Sequence, residues 1–438
     1  MTHGHFVVAG LAHARAPWFS RLASWATGGV VPVEFVKCVS LTELRARMEG
    51  TRAHSAVMVD AGMPGLDRDL LAQVTRTGAA AIVVAPPPTA HRWRAMGAAA
   101  TADADFTPDD LIALLRDHAP AATNPREAGA TEDRVLPAQA TGRLVAVTGA
   151  GGAGTSVIAA ALASGLAGQP SSTVLLADLA LRADQAMIHD SREVIPGVQE
   201  LVEAHRTGTP PPDELMRLTF AVPGRGYQLL LGLRRTRDWT AIRPRALHAA
   251  LDGLLGCFGT VVADISPDVE GERETGSADV EERHLLARAS LERAAVTVVV
   301  GTPTMKGTYS LARLVGDLAD TGVDPARIVA VINHAPRNLR SRAEAAAALA
   351  ALTTAVPGAA DLGAPIFVPT VKHLDRALRD AVALPHHLVR PVTAAVTQQL
   401  NRMEHVASPS RGTDEPEPVT PGALGAWAVG DGDGEAVA

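Results

Sequence analysis

Residues 145–156 read VAVTGAGGAGTS. A valine-rich apolar run of strand character ends in Gly149, Gly151, Gly152 and Gly154, followed by the small hydroxyl residues Thr155 and Ser156. Successive main-chain N–H groups in such a loop, at the N-terminus of a helix, form a cradle for an anion. Two phosphate-binding spacings fit. Gly149, Gly151 and Gly154 satisfy G-x-G-x-x-G after a strand, with Asp178 closing the next strand, TVLLAD, where a dinucleotide fold meets a ribose. Gly149, Gly154, Thr155 and Ser156 equally satisfy G-x-x-x-x-G-K-[ST], with threonine in place of lysine. A glycine turn that merely joins strand to helix remains a third reading, so the loop alone leaves the choice open.

Composition sets the frame. The chain has 438 residues, 47% hydrophobic and 20% charged, enough for substantial cores and two or three domains. Its formal net charge of -7, with no dense Lys/Arg run, excludes a general nucleic-acid binder. Cys38 and Cys257 lie far apart and outside metal-ligand spacing, as expected of reduced core cysteines, and no histidine falls in an H-E-x-x-H pattern. The N-terminus lacks a basic, then apolar, leader, and no apolar run approaches the roughly 18 residues that span a bilayer. A cytoplasmic α/β protein is expected.

The organisation follows from the alternation of apolar runs with helix-like stretches. Residues 1–118 hold FVVAG, VEFVKCVS, SAVMVD and AAIVVA; residues 119–142, rich in Ala, Pro, Thr and Glu, read as a linker. Residues 143–405 form a second βα series: RLVAVTG, TVLLADL, YQLLLG, GTVVADI, AVTVVVG, RIVAVIN and APIFVP. Pro385 and Pro391 are expected to interrupt the last helical region, which leads into residues 406–438, read as a disordered acidic tail.

SAVMVDAGMPGLD places Asp60 at the end of the third strand, and the first unit thereby resembles a response-regulator receiver, a flavodoxin-like domain whose strand-end aspartate accepts phosphate. Phosphotransfer there also needs an acidic pair after the first strand, a hydroxyl after the fourth and a lysine after the fifth. This chain has AGLAHA, Ala85 and ATADADFT at those places. The expectation is a pseudo-receiver in which Asp60 is not phosphorylated.

The glycine loop and three elements beyond it, four in order, resemble the MinD/ParA branch of P-loop ATPases, specifically its CpaE/TadZ-like members, including actinobacterial CpaE-like proteins described as septum-site-determining. The loop Ala150–Ser156 stands where that branch has K-G-G-x-G-K-[ST]. TVLLADLALRADQA keeps Asp178, with Ala180 where a second aspartate is usual. GTVVADIS ends on Asp264 like a Walker B strand, and VAVINHAPRN supplies Asn333 at the strand end that faces adenine. The resemblance implies a P-loop NTPase-like domain with a mainly parallel sheet. It implies a weak site for ATP or ADP built from Gly149, Gly151, Gly152, Gly154, Thr155, Ser156 and Asn333, with Ser156, Asp178 and Asp264 around magnesium. Asp178 and Asp264 are the only catalytic candidates. Ala150 and Thr155 replace both cations, the family's signature lysine and the P-loop lysine, so little or no ATPase activity is expected. The implied role is spatial positioning of pilus, secretion or division machinery through protein partners, as a homodimer recruited to pole or septum without intrinsic membrane binding. The competing readings are a Rossmann-type NAD(P) oxidoreductase and an active ATPase with a displaced lysine, Lys306 or Lys372. The acidic stretch DVEGERETGSADVEERH reads as a solvated loop.

Overall fold

The computed structural model describes residues 6–13, 16–49, 53–119, 142–170 and 172–407, without the side chains of 404–407. The expected linker, apart from its end residues, and nearly all of the expected acidic tail lie outside the described residues.

The first unit alternates strands and helices: β1 (Phe6–Leu11), α1 (Pro17–Thr27), β2 (Val33–Cys38), α2 (Leu41–Met48), β3 (Ala56–Asp60), α3 (Arg68–Arg76), β4 (Ala80–Val84), α4 (Ala90–Ala95), β5 (Ala100–Ala102) and α5 (Pro108–His118). Its five strands pair in parallel in the order β2-β1-β3-β4-β5, a doubly wound arrangement. Strands β3 and β4 are apolar throughout because helices cover both sheet faces, which leaves only the end residue Asp60 part-exposed.

The second unit opens with β6 (Arg143–Gly149), α6 (Thr155–Ala167), β7 (Val174–Leu179), α7 (Gln185–Ile188), α8 (Val198–Arg206) and α9 (Pro212–Arg217). It continues through β8 (Phe220–Val222), β9 (Tyr227–Leu230), α10 (Pro244–Cys257), β10 (Thr260–Ile265), α11 (Glu272–Thr275), α12 (Ala278–Arg283) and α13 (Leu285–Arg293). It closes with β11 (Ala294–Gly301), α14 (Met305–Asp320), β12 (Ile328–Ala335), α15 (Leu339–Thr353), β13 (Ile366–Pro369), α16 (Leu374–Arg379) and α17 (His386–Ala407). The sheet order is β13-β12-β11-β6-β10-β7-β9-β8, parallel except for the β8–β9 pair, so the expected mainly parallel α/β architecture is observed. The short antiparallel edge β8 has no counterpart in the sequence reading.

This order does not match the Rossmann-type sheet of the oxidoreductase alternative. In a Rossmann sheet the glycine-loop strand and the next strand are neighbours. Here β10 lies between β6 and β7 and pairs with both. The chain then crosses from β10 to β11 on the far side of β6, which makes the C-terminal end of β6 a switch point where a ligand crevice opens.

Two further features differ from the sequence reading. Pro391 does not interrupt the last helix; α17 runs through it, and Leu388, Val392, Val396 and Leu400 at i+4 spacing are buried against the core that contains α6. The acidic stretch after Asp264 is not a bare loop. It folds as α11 and α12 and is pinned by buried His284, whose ring nitrogen contacts the Glu270 carbonyl at 2.9 Å.

The two units meet along a polar seam. Arg68 at the start of α3 donates to the His205 and Gly208 carbonyls at 3.0 and 3.2 Å and to Thr209 Oγ1 at 2.9 Å. Buried Asp67 pairs with Arg206 at 3.1 Å, and Asp69 accepts from the Arg245 main chain at 3.0 Å.

Candidate functional site

The loop leaving β6 is shaped by glycine requirements. A β-carbon on Gly149 would come within 2.5 Å of both the Val300 carbonyl oxygen and Thr155 Oγ1. Gly154 has φ +82 and caps α6, and a β-carbon there would meet Asn333 Nδ2 at 2.5 Å. As a glycine cap brings no side chain, the first-turn N–H groups of α6 remain without a side-chain acceptor. The N-terminus of this 13-residue helix therefore faces a cavity of about 960 Å³ with its donors available.

All six loop positions expected to hold phosphate line that cavity: Gly149, Gly151, Gly152, Gly154, Thr155 and Ser156. Asp264 lines it too, at the end of β10. Asp178 sits beside Asp264 in the β7–β10 register but is fully buried and behind the wall. Its Oδ2 accepts from the Gln185 main chain at 2.9 Å. Asn333 also stands back from the cavity: its Nδ2 donates to the Ala153 carbonyl at 2.9 Å and its Oδ1 accepts from His334 N. The structure thus places Asn333 as a brace beneath the loop. Neither Lys306 nor Lys372 lines the cavity.

A residue absent from the sequence reading joins these groups. Gln185 is fully buried, and its Nε2 donates to Asp264 Oδ2 at 2.8 Å and to the Ser156 carbonyl at 2.9 Å. Its Oε1 is buried without a partner among the described residues. Glutamine is a surface residue by habit, so the sequence carried no signal for this role.

Burial sets the electrostatics. Desolvation raises the Asp264 carboxyl to about 6, against hydrogen bonds from Ser156 and Gln185 that lower it. Desolvation, then the neighbouring Asp264, pushes Asp178 well above the usual carboxylate range. Two buried acids side by side repel when both are ionised, and a divalent cation at the Ser156–Asp264 edge would relieve that repulsion. Hydroxyl, carboxylate and the free amide oxygen of Gln185 are hard donors suited to magnesium. His189, which follows α7 and is held down to about 4 by burial, contacts Tyr227 Oη at 2.7 Å.

Asp60 occupies a different place. Its Oδ2 accepts from Trp18 Nε1 at 3.0 Å and its Oδ1 from Gly62 N at 2.9 Å, while His13 Nε2 lies 3.4 Å from the Gly62 carbonyl and Ala85 is buried.

Among the described residues, no group of three or more His, Cys, Asp or Glu side chains is arranged to hold a metal alone. No helix among them is long and apolar enough to cross a membrane.

No family model and no curated protein matches the chain. It is similar to the solved structure of a ParA family ATPase from Chlorobium tepidum, with 17% identity over 58% of this chain and 98% of that one and a TM-score of 0.45. It is likewise similar to the cell division ATPase MinD of Pyrococcus furiosus, at 15% identity over 61% of this chain and 100% of that one with a TM-score of 0.43. A third likeness is to septum site-determining MinD complexed with Mg-ADP from Pyrococcus horikoshii, at 16% identity over 60% and 95% of the two chains with a TM-score of 0.41.

Proposed function

We propose that the chain is a positioning protein of the CpaE/TadZ-like kind, in which a P-loop binds ATP or ADP weakly and hydrolyses it little or not at all. The observation that carries the reading is the lysine-free loop: N–H donors of α6 face the cavity beside buried Asp264, with Ala150 and Thr155 where cations would stand. The anion cradle is main-chain and survives the loss of side chains, whereas charge neutralisation during phosphoryl transfer does not. Ser156 and Asp264, with Gln185 behind them, would hold magnesium, which when bound supplies positive charge to the phosphates. Titration of the purified chain with ATP, ADP and NAD(P)H, with and without magnesium, tests the reading. Magnesium-dependent saturation by ATP or ADP supports it, and preferential saturation by NAD(P)H overturns it.

The role we assign is placement of secretion, pilus or division machinery through protein contacts, at a pole or septum. Support comes from the motif order together with the fate of the last helix. Its apolar stripe of Leu388, Val392, Val396 and Leu400 is spent on the core and is not offered to a leaflet. The chain is therefore expected to stay in the supernatant when sedimented with anionic liposomes, and to show the same homodimer size with and without ATP. Lipid binding, or a dimer that forms only with ATP, would show that the loop still works as a switch.

The first unit acts, in this reading, as a docking pseudo-receiver. Both Asp60 oxygens already accept hydrogen bonds, and among the described residues no group of three or more His, Cys, Asp or Glu side chains is placed to hold a cation. A small phosphodonor is expected to leave Asp60 unlabelled; label that vanishes in Asp60→Asn contradicts this.

A further inference from the structure

The positive charge missing from the loop is present elsewhere on the same cavity wall. Three arginines line it, each from a separate element: Arg182 from the segment between β7 and α7, Arg283 from the end of α12, and Arg379 from the end of α16. All three are exposed. Arg182 and Arg283 make no hydrogen bond or ion pair among the described residues, and Arg379 has only a 3.6 Å contact with exposed Asp380, a pair of little strength in water.

Their stems, in contrast, are fixed. The Arg182 segment is tied down by Leu181 N donating to Ser266 Oγ at 2.9 Å and by Gln185 N on Asp178. Residue 283 precedes buried His284, which is bound to the Glu270 carbonyl. α16 is held by Arg225, 4% exposed, whose guanidinium donates to the Ala377, Leu378 and Val382 carbonyls at 3.0 to 3.2 Å. With the backbone fixed, gripping an anion costs only the ordering of the guanidinium side chains themselves. The chain also has just three lysines, Lys37, Lys306 and Lys372, against thirty-seven arginines, and none of the lysines reaches this wall.

We propose that Arg182, Arg283 and Arg379 grip the outer phosphates of a nucleoside polyphosphate, taking over the binding role of the absent loop lysines. This rests on the reading of the loop as a phosphate site. Guanidinium forks bind phosphate oxygens bidentately, so they hold the ligand well. They lie outside the loop, so the grip adds affinity without restoring the lysine-supported transfer geometry. Five aspartates line the same cavity (Asp184, Asp190, Asp264, Asp268 and Asp375), which makes it acidic overall and the grip dependent on a divalent cation.

The test uses the full chain, measuring affinity for ATP and ADP with magnesium, and competition by inorganic tripolyphosphate and by adenosine. Each of Arg182→Ala, Arg283→Ala and Arg379→Ala is expected to weaken binding about tenfold, and the triple variant about 100-fold or more, in keeping with charge-assisted hydrogen bonds. Lysine at the same positions, which keeps the charge without the fork, should restore part of the affinity, and Arg116→Ala on α5 should change nothing. Tripolyphosphate should displace ATP from the parent far better than adenosine does. The heads are exposed, so all variants should fold with an unchanged Tm. Undiminished affinity in the triple variant, or displacement by adenosine as effective as by tripolyphosphate, overturns the arginine grip while leaving the phosphate-site reading intact. A parent chain that binds neither nucleotide nor tripolyphosphate overturns both.

Discussion

Supplied with ATP and magnesium, the purified chain is expected to turn over on the order of 10²- to 10⁴-fold more slowly than a loop that keeps its lysines, close to the background of the assay. The argument is electrostatic. Phosphoryl transfer asks the protein mainly to position the reacting groups and to neutralise charge as it builds on the transferring phosphoryl. The β6–α6 loop retains main-chain donors, but Thr155 is short and its Oγ1 lies against Gly149, while Ala150 carries no charge at all. Arg182, Arg283 and Arg379 line the cavity from elements outside the loop, and in the proposed grip they bind ground state and transition state alike without accelerating transfer.

Asp264→Asn is expected to be more stable than the parent above pH 6, by about 2–3 kcal/mol in metal-free buffer. The Asp264 carboxyl is 2% exposed and raised to about 6, whereas an aspartate in an unfolded chain titrates near 4. The folded chain thus holds this proton more tightly than the unfolded chain. The carboxyl's contribution to stability is fully present below about pH 4 and is lost as pH rises through about 6. A shift of about two units corresponds to roughly 3 kcal/mol. Asparagine keeps an oxygen to accept from Gln185 Nε2 and carries no charge, so its stability should lack that decline. Unfolding of both chains between pH 4 and 8 reads the difference. Parallel pH profiles for the two would show that Asp264 is not a buried charge in the folded state.

Much of this site could be read from sequence because its parts are local. The strand-end aspartates Asp178 and Asp264 and the glycine loop are fixed by apolar runs that stop abruptly, and parallel strands buried on both faces leave such stops only at their ends. What stayed hidden depends on long-range packing. The insertion of β10 between β6 and β7, which separates a P-loop sheet from a Rossmann sheet, leaves no periodic trace. Asn333 is a strand-end residue in either reading, and only the contact with Ala153, distant in sequence, turns it into a brace. Arg283 and Arg379 come from an acidic stretch and a short late helix, both unremarkable as charge patterns, and line the cavity beside backbone held by His284 and Arg225. Pro391 in α17 was a misleading signal, because one missing N–H near the start of a helix of 22 residues is outweighed by the buried stripe that follows.

The central claim, a loop that holds nucleotide without consuming it, is tested most directly by calorimetric titration of ATP into the full chain with magnesium. One trace reads both binding and turnover. The account predicts a saturable binding heat followed by a flat baseline. A sustained heat of hydrolysis after each injection, absent in Asp264→Ala, would contradict it.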